Sequence, residues 1–163
     1  MADFRFVTPS TRFMCKRCTQ CCSLDVMLSD EEMARLGDSC DREWHTTKKA
    51  SWGSDMPCCL LRGRSCSIYE SRPRLCRIYP FFAIPESEMS MFGILVEASA
   101  SRFSGEDGEH YIIIYDEKCP GIGEGGECNF DWQAIVTITV DHKNDFRAAS
   151  NATISGTQND LLK

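Results

Sequence analysis

Apolar positions along this chain come in short bursts, set apart by polar and turn-forming stretches. Residues 1–14 read as an extended lead-in, and Val26-Met27-Leu28 is the first apolar run beyond it. Ser29-Asp30-Glu31-Glu32 is a capping box: the Ser29 hydroxyl can take an amide of the first turn while Glu32 reaches back. Met33 and Leu36 give that helix an apolar side, and Gly37 suits its stop. A second short helix is expected over 43–49, and a loop from Gly53 to Pro57. Ile68-Tyr69 is expected to pack inward, and Pro73 to open a helical turn where its missing amide is not needed. Three strands are predicted, over 78–84, 92–98 and 111–115, joined by polar connections holding Pro85, Gly105 and Gly108. Gly121, Gly123, Gly125 and Gly126 mark an irregular loop after Cys119-Pro120. In the tail, Trp132, Ile135, Val136 and Val140 fit a helix face, while Val136, Ile138 and Val140 also alternate as in a strand; a helix from near Asp131 is the preferred reading. Residues from Ser150 onward are polar and expected to fray.

These elements predict an α+β domain, small and rich in loops, with short helices and a small antiparallel sheet. At 163 residues the chain is expected to form a single domain over 1–163. Its 24 acids against 18 Lys and Arg give a net charge of -6, which argues against nucleic-acid binding. The charge is uneven: residues 1–77 carry 13 basic and 10 acidic side chains, residues 78–163 only 5 and 14. The start has no apolar signal-peptide region, and no apolar run is long enough for a membrane span, so a cytoplasmic, reducing location is expected.

Cysteine changes the picture. There are 11, an odd number that fits a closed disulfide framework poorly, and in a reducing compartment dense cysteines more often hold metal. Cys15-x2-Cys18-x2-Cys21-Cys22 puts four thiols within eight residues, and its two-residue spacers let a tight turn wrap one centre. Cys58, Cys59, Cys66 and Cys76 follow in a stretch with Arg62, Arg64, Arg72, Arg74 and Arg77, whose charge offsets thiolates and favours ligation. Cys119-Pro120 is a third contribution, loosely like the way ferredoxin-type clusters are held. Thiolates are soft donors that select zinc, copper(I) or iron–sulfur clusters over magnesium or calcium. Cys40, Cys59 and Cys128 read as small core residues instead. His45, His110 and His142 form no zinc-like spacing, and no nucleophile elbow, Walker loop or His-Glu-x-x-His occurs.

The residues also resemble a known family, the zinc- or iron-chelating cysteine-cluster proteins named for CxxCxxCC and often called YkgJ-like. The resemblance runs through Phe13-x-Cys15-x2-Cys18-x2-Cys21-Cys22, Cys58-x2-Leu61, Cys66-x-Ile68-Tyr69-x2-Arg72-Pro73-x2-Cys76-Arg77-x-Tyr79-Pro80-Phe81 and Cys119-Pro120-Gly121-Ile122-Gly123. It covers residues 13–126, which it implies to be the metal-binding region, with 127–163 as a C-terminal extension. It implies eight ligands: Cys15, Cys18, Cys21, Cys22, Cys58, Cys66, Cys76 and Cys119. Cys59 stands where the family carries a proline, which makes Cys58 the ligand of that pair.

The expected function is therefore binding of an iron–sulfur cluster, [4Fe–4S] among the choices, or of zinc. Eight ligands suffice for two four-thiolate sites, or for one cluster with reactive or structural thiols beside it. One class of reading is an iron–sulfur oxidoreductase or electron-transfer component with a redox partner. The other is a structural zinc module or accessory subunit of an unidentified protein partner, without catalysis of its own. A three-strand meander would put Cys76 and Cys119 at opposite ends of the sheet, so loops are expected to fold back and gather the sulfurs of Cys15, Cys18, Cys21 or Cys22, Cys58, Cys66, Cys76 and Cys119 in one region, with Cys40 and Cys128 outside it.

Overall fold

The computed structural model describes residues 4–40, 45–47, 58–127 and 131–145. The lead-in forms two short strands, β1 (Phe4–Phe6) and β2 (Arg12–Phe13). Helix α1 (Asp30–Leu36) opens on the expected capping box: Ser29 Oγ accepts from the Glu32 amide at 3.3 Å, and Glu32 Oε2 accepts from the Ser29 amide at 3.1 Å. Gly37 ends it at a φ of 60°, a backbone angle that favours glycine. A small hairpin, β3 (Leu61–Arg62) and β4 (Ser65–Cys66), precedes helix α2 (Arg74–Ile78), which starts directly after Pro73 as expected. Then come β5 (Phe81–Pro85), β6 (Arg102–Ser104), β7 (His110–Asp116), β8 (Ile122–Glu127) and helix α3, residues 132–145.

β7 is the strand on which the main sheet is built. β5 runs antiparallel along one edge, Phe81 opposite Tyr115 and Pro85 opposite Tyr111. The other edge is shared: β6 pairs with residues 110–112 and β1 with residues 114–116. β2 and β8 form a separate two-stranded piece. Tyr111 and Ile113 face a core with Val7, Phe81, Ala83 and, from α3, Ile135, Val136 and Val140. Ile112 and Ile114 face Met89 and the partly buried Ile84, Ile94 and Val96. Burial on both faces is why β7 reads as an unbroken apolar run. α3 confirms the helical reading of the tail.

Three expectations need correction. Residues 92–98 are not a strand, because both edges of β7 are already filled. Ile94 and Val96 still turn inward while Leu95 stands 90% exposed, which is the alternation that suggested a strand. The first strand starts at Phe81 and not at Ile78, since Ile78 closes α2. The glycine-rich stretch 121–126 is not wholly irregular: it supplies most of β8, paired with β2. Of the helix expected over 43–49, only 45–47 are described. They lie against 26–28, with the Leu28 amide donating to His45 O at 2.7 Å and Met27 bridged to Thr46. The loop expected from 53 to 57, Cys128 and the tail from Ser150 lie outside the described residues. No helix among the described residues is long and apolar enough to cross a membrane.

Glu32 ties two helices together. Its side chain is buried, and besides its cap bond its Oε1 accepts the Arg74 amide, the first residue of α2, at 2.6 Å. Glu32→Ala should remove half the capping box and strand that amide, costing about 2–4 kcal/mol in urea unfolding. A loss below about 0.5 kcal/mol, the level of an ordinary surface substitution, would contradict the role of this carboxylate.

Candidate metal centre

The cysteines lie on loops, so backbone pairings decide which of them meet. Because β5 pairs directly with β7, the residues before β5 and those after β7 emerge at the same end of the sheet. The Asp116 amide donates to Pro80 O at 3.0 Å, and the Tyr79 hydroxyl donates to Asp116 Oδ2 at 2.9 Å, fastening this corner. Cys76 and Cys119 are therefore not at opposite ends, as a three-strand meander would have them. The crossover through 86–101 adds the reversal that the meander lacks.

The other segments arrive by similar means. Phe13 pairs with Ile122, and the Met14 amide donates to Gly121 O at 3.0 Å, which carries the Cys15–Cys18 loop to Cys119. Gly121 is required for that approach: a Cβ there would stand 2.5 Å from Met14 O. The Cys58 amide donates to Cys22 O at 3.0 Å, joining the first and second cysteine segments. The Cys59 amide donates to Thr47 O at 2.7 Å, and the Ser67 amide to Leu60 O at 3.0 Å, so the hairpin sets Cys66 beside the same loop.

The eight candidates fall into two adjoining groups. Cys21, Cys22, Cys58, Cys66 and Cys76 line one inner cavity of about 20 Å³, with Arg72 in its wall. That is room for about one water-sized sphere. Cys119 is buried, and its thiol is held above the ordinary range first by that burial, then by the nearby Cys18 and Cys15 sulfurs among other charges. Cys15 and Cys18 themselves are exposed. Two tyrosines lie close to both groups. Tyr69 is hydrogen-bonded to Cys15 and lines the mouth of the inner cavity with Cys21, Cys22 and Cys66. Tyr79 lies near both Cys119 and Cys21. Among the described residues, no three Cys, His, Asp or Glu side chains are closed on one point as a ligand set. The sulfurs line the space without converging on it.

Cys40 does not lie outside this region. It is buried in the same cluster as Cys22 and Cys58, and its Sγ is 2.7 Å from Cys59 Sγ. The sequence marks both only as small core residues, because their contact joins positions 19 apart across a fold it does not specify. Tyr69 and Tyr79 are likewise visible in the sequence only as apolar neighbours of cysteines.

The electrostatics divide the inner group, favouring the thiolate at Cys21 and Cys58 and the thiol at Cys22 and Cys76. Cys21 is lowered to about 7, first by a hydrogen bond from Cys22 and, against burial, also by Arg72. Cys58 is lowered as well, by hydrogen bonds from Cys22 and Cys59. Cys22, as the shared donor, is raised. Cys76 is raised, first by burial and then by the charges of Cys21, Cys58 and Cys66. Arg72 Nε is sealed from solvent and has no hydrogen-bond partner among the described residues. Its guanidinium stacks on Tyr69 at 3.9 Å, as does that of Arg17 at 4.1 Å. A soft cation fits this site: among the described residues lining the inner cavity, Cys is present and His, Asp and Glu are not, and a guanidinium stands by to balance a net-negative thiolate complex.

A family profile described as "Putative zinc- or iron-chelating domain", CxxCxxCC, matches residues 14–120, well over half of the chain. No curated protein and no solved structure matches it.

In the reduced, metal-free chain, Cys21 should alkylate with a rate half-maximal near pH 7, following its pKa of about 7. Cys76 should stay slow well above that pH, because its thiol is raised. Peptide mass mapping after timed iodoacetamide exposure reads both, and coincident profiles would contradict the division.

Proposed function

The chain belongs to the CxxCxxCC family of zinc- or iron-chelating domains, and we propose that it carries two thiolate metal centres side by side. The inner centre takes Cys22, Cys58, Cys66 and Cys76. The outer centre takes Cys15, Cys18 and Cys119, with Cys21, which lines the inner cavity beside Cys22, turned outward as its fourth ligand. Neighbouring side chains such as Cys21 and Cys22 can diverge, so one Cys-Cys pair can serve both centres. The observation that supports this reading is that five family cysteines, from the first and second cysteine segments, line one cavity.

The inner cavity suits a single zinc or iron ion, given its size. A tetrahedral four-thiolate ion of that kind is structural, since no coordination position is left open. The outer group supports a second reading for its own centre. Cys15 and Cys18 are exposed and Cys119 precedes a proline, an arrangement compatible with an iron–sulfur cluster that exchanges electrons with a partner.

Anaerobic purification followed by zinc, iron and acid-labile sulfide analysis tests the proposal. About two metal centres per reduced chain are expected, from eight thiolates at four per centre. Sulfide accompanying iron would identify a cluster, and its absence would identify single ions. Cys76→Ser should remove one centre and Cys119→Ser the other, while Cys40→Ser should retain both. Equal losses from all three substitutions, or a reconstituted chain that holds no metal, would contradict the assignment.

A further inference from the structure

The proposed centres leave over three of the 11 cysteines, Cys40, Cys59 and Cys128. The first two are side by side. Their Sγ atoms stand 2.7 Å apart, and neither residue is among those lining the inner thiol cavity. A lone buried cysteine is ordinarily a small apolar residue, whereas two sulfurs in contact are a candidate dithiol pair.

The backbone is held on each side of this contact. Cys40 follows the short turn Gly37–Ser39 at the end of α1 and is buried in one cluster with Leu28, Met33 and Leu60. Across from it, the Cys59 amide donates to Thr47 O at 2.7 Å, and Arg62 Nη1 donates to Cys59 O at 2.8 Å. A reaction between groups already held together is effectively unimolecular and gains the corresponding rate. Cys59 is also hydrogen-bonded to Cys58. A bond between those chain neighbours is disfavoured: consecutive Cα atoms are about 3.8 Å apart, short of the about 4.4–6.8 Å that a disulfide ordinarily spans. Cys40 carries no such constraint, because it comes from a segment 19 positions away.

We propose that Cys40 and Cys59 form a reversible disulfide, a redox-modification site separate from the metal ligands. The oxidant is a small peroxide, hydrogen peroxide being the simplest. One sulfur of the pair, as thiolate, attacks a peroxide oxygen and the O–O bond breaks. That sulfur becomes a sulfenic acid, and the departing hydroxide takes the proton the thiol gave up, forming water. The second thiolate then attacks the sulfenic sulfur; the S–S bond forms, and hydroxide leaves to become a second water. The net reaction turns two thiols and one hydrogen peroxide into one disulfide and two waters. A dithiol reductant reverses it, its own thiols being oxidised to a disulfide as the S–S bond breaks. Once bonded, Cys59 pins the loop that carries Cys58 to the end of α1. Cys22, Cys58, Cys66 and Cys76 keep their thiols. The inference goes beyond the metal-chelating reading and does not depend on it.

In the test, the full chain as purified under reduction meets rising doses of hydrogen peroxide, is quenched with iodoacetamide, and is mapped by peptide mass spectrometry without reductant. The first link to form should join Cys40 to Cys59, with the loss of two alkylatable thiols per linked chain. Dithiothreitol should restore both. Fragment ions should assign the bond to Cys59 and not to Cys58. Cys40→Ser and Cys59→Ser should each abolish that link. Metal content is measured on the same samples, so a reconstituted chain that holds no metal yet yields this link first sinks the chelation reading and keeps this one. An earlier link between any other pair, or no link at all, would overturn the assignment. So would a Cys59→Ser chain in which Cys40 links to Cys58 with undiminished yield. The wild-type link map decides the matter should a variant fail to fold.

Discussion

Everything at the cysteine-rich end depends on the direct antiparallel pairing of β5 with β7. With Phe81 opposite Tyr115, the chain enters β5 from α2 at the same corner where it leaves β7 toward Cys119. A second pairing, β2 with β8, swings the first cysteine loop onto that corner, and it works only because Gly121 has no side chain to hold Met14 off. The sheet and α3 are thus a conventional apolar core, and the cysteines hang from one end of it on loops. Those loops have little regular structure of their own. What holds them is a handful of backbone bonds, the Glu32 bridge between α1 and α2, and the contacts among the sulfurs.

That arrangement has a cost that a metal would offset. Lowering the Cys21 and Cys58 thiols sets anionic sulfur in a small space, and like charges at that range repel. Arg72 relieves part of this, yet its Nε finds no hydrogen-bond partner among the described residues. A soft divalent cation would reverse the sign of the balance, and metal free energy would become folding free energy for segments with few apolar contacts. At the mouth the guanidiniums of Arg72 and Arg17 both stack on Tyr69.

What the sequence discloses follows from how local each signal is. The capping box at Ser29 and Glu32 involves residues three apart and is legible at once. β7 is legible because burial on both faces leaves a continuous apolar run. β8 is not, since its glycines carry no alternation and its pairing is set by β2, more than a hundred residues away. Residues 92–98 mislead for the opposite reason: the alternation is real, but no edge is free to accept a strand. The eight family cysteines can be read from spacing and resemblance. Their division into two groups, and the company Cys40 keeps with Cys59, depends on pairings between distant segments.

The central claim is that sulfur alone surrounds the bound metal, and X-ray absorption at the metal edge of the loaded chain tests it most directly. The account predicts a first shell made wholly of sulfur at about 2.3 Å from the metal. A shell dominated by nitrogen or oxygen at about 2.0–2.2 Å would contradict it.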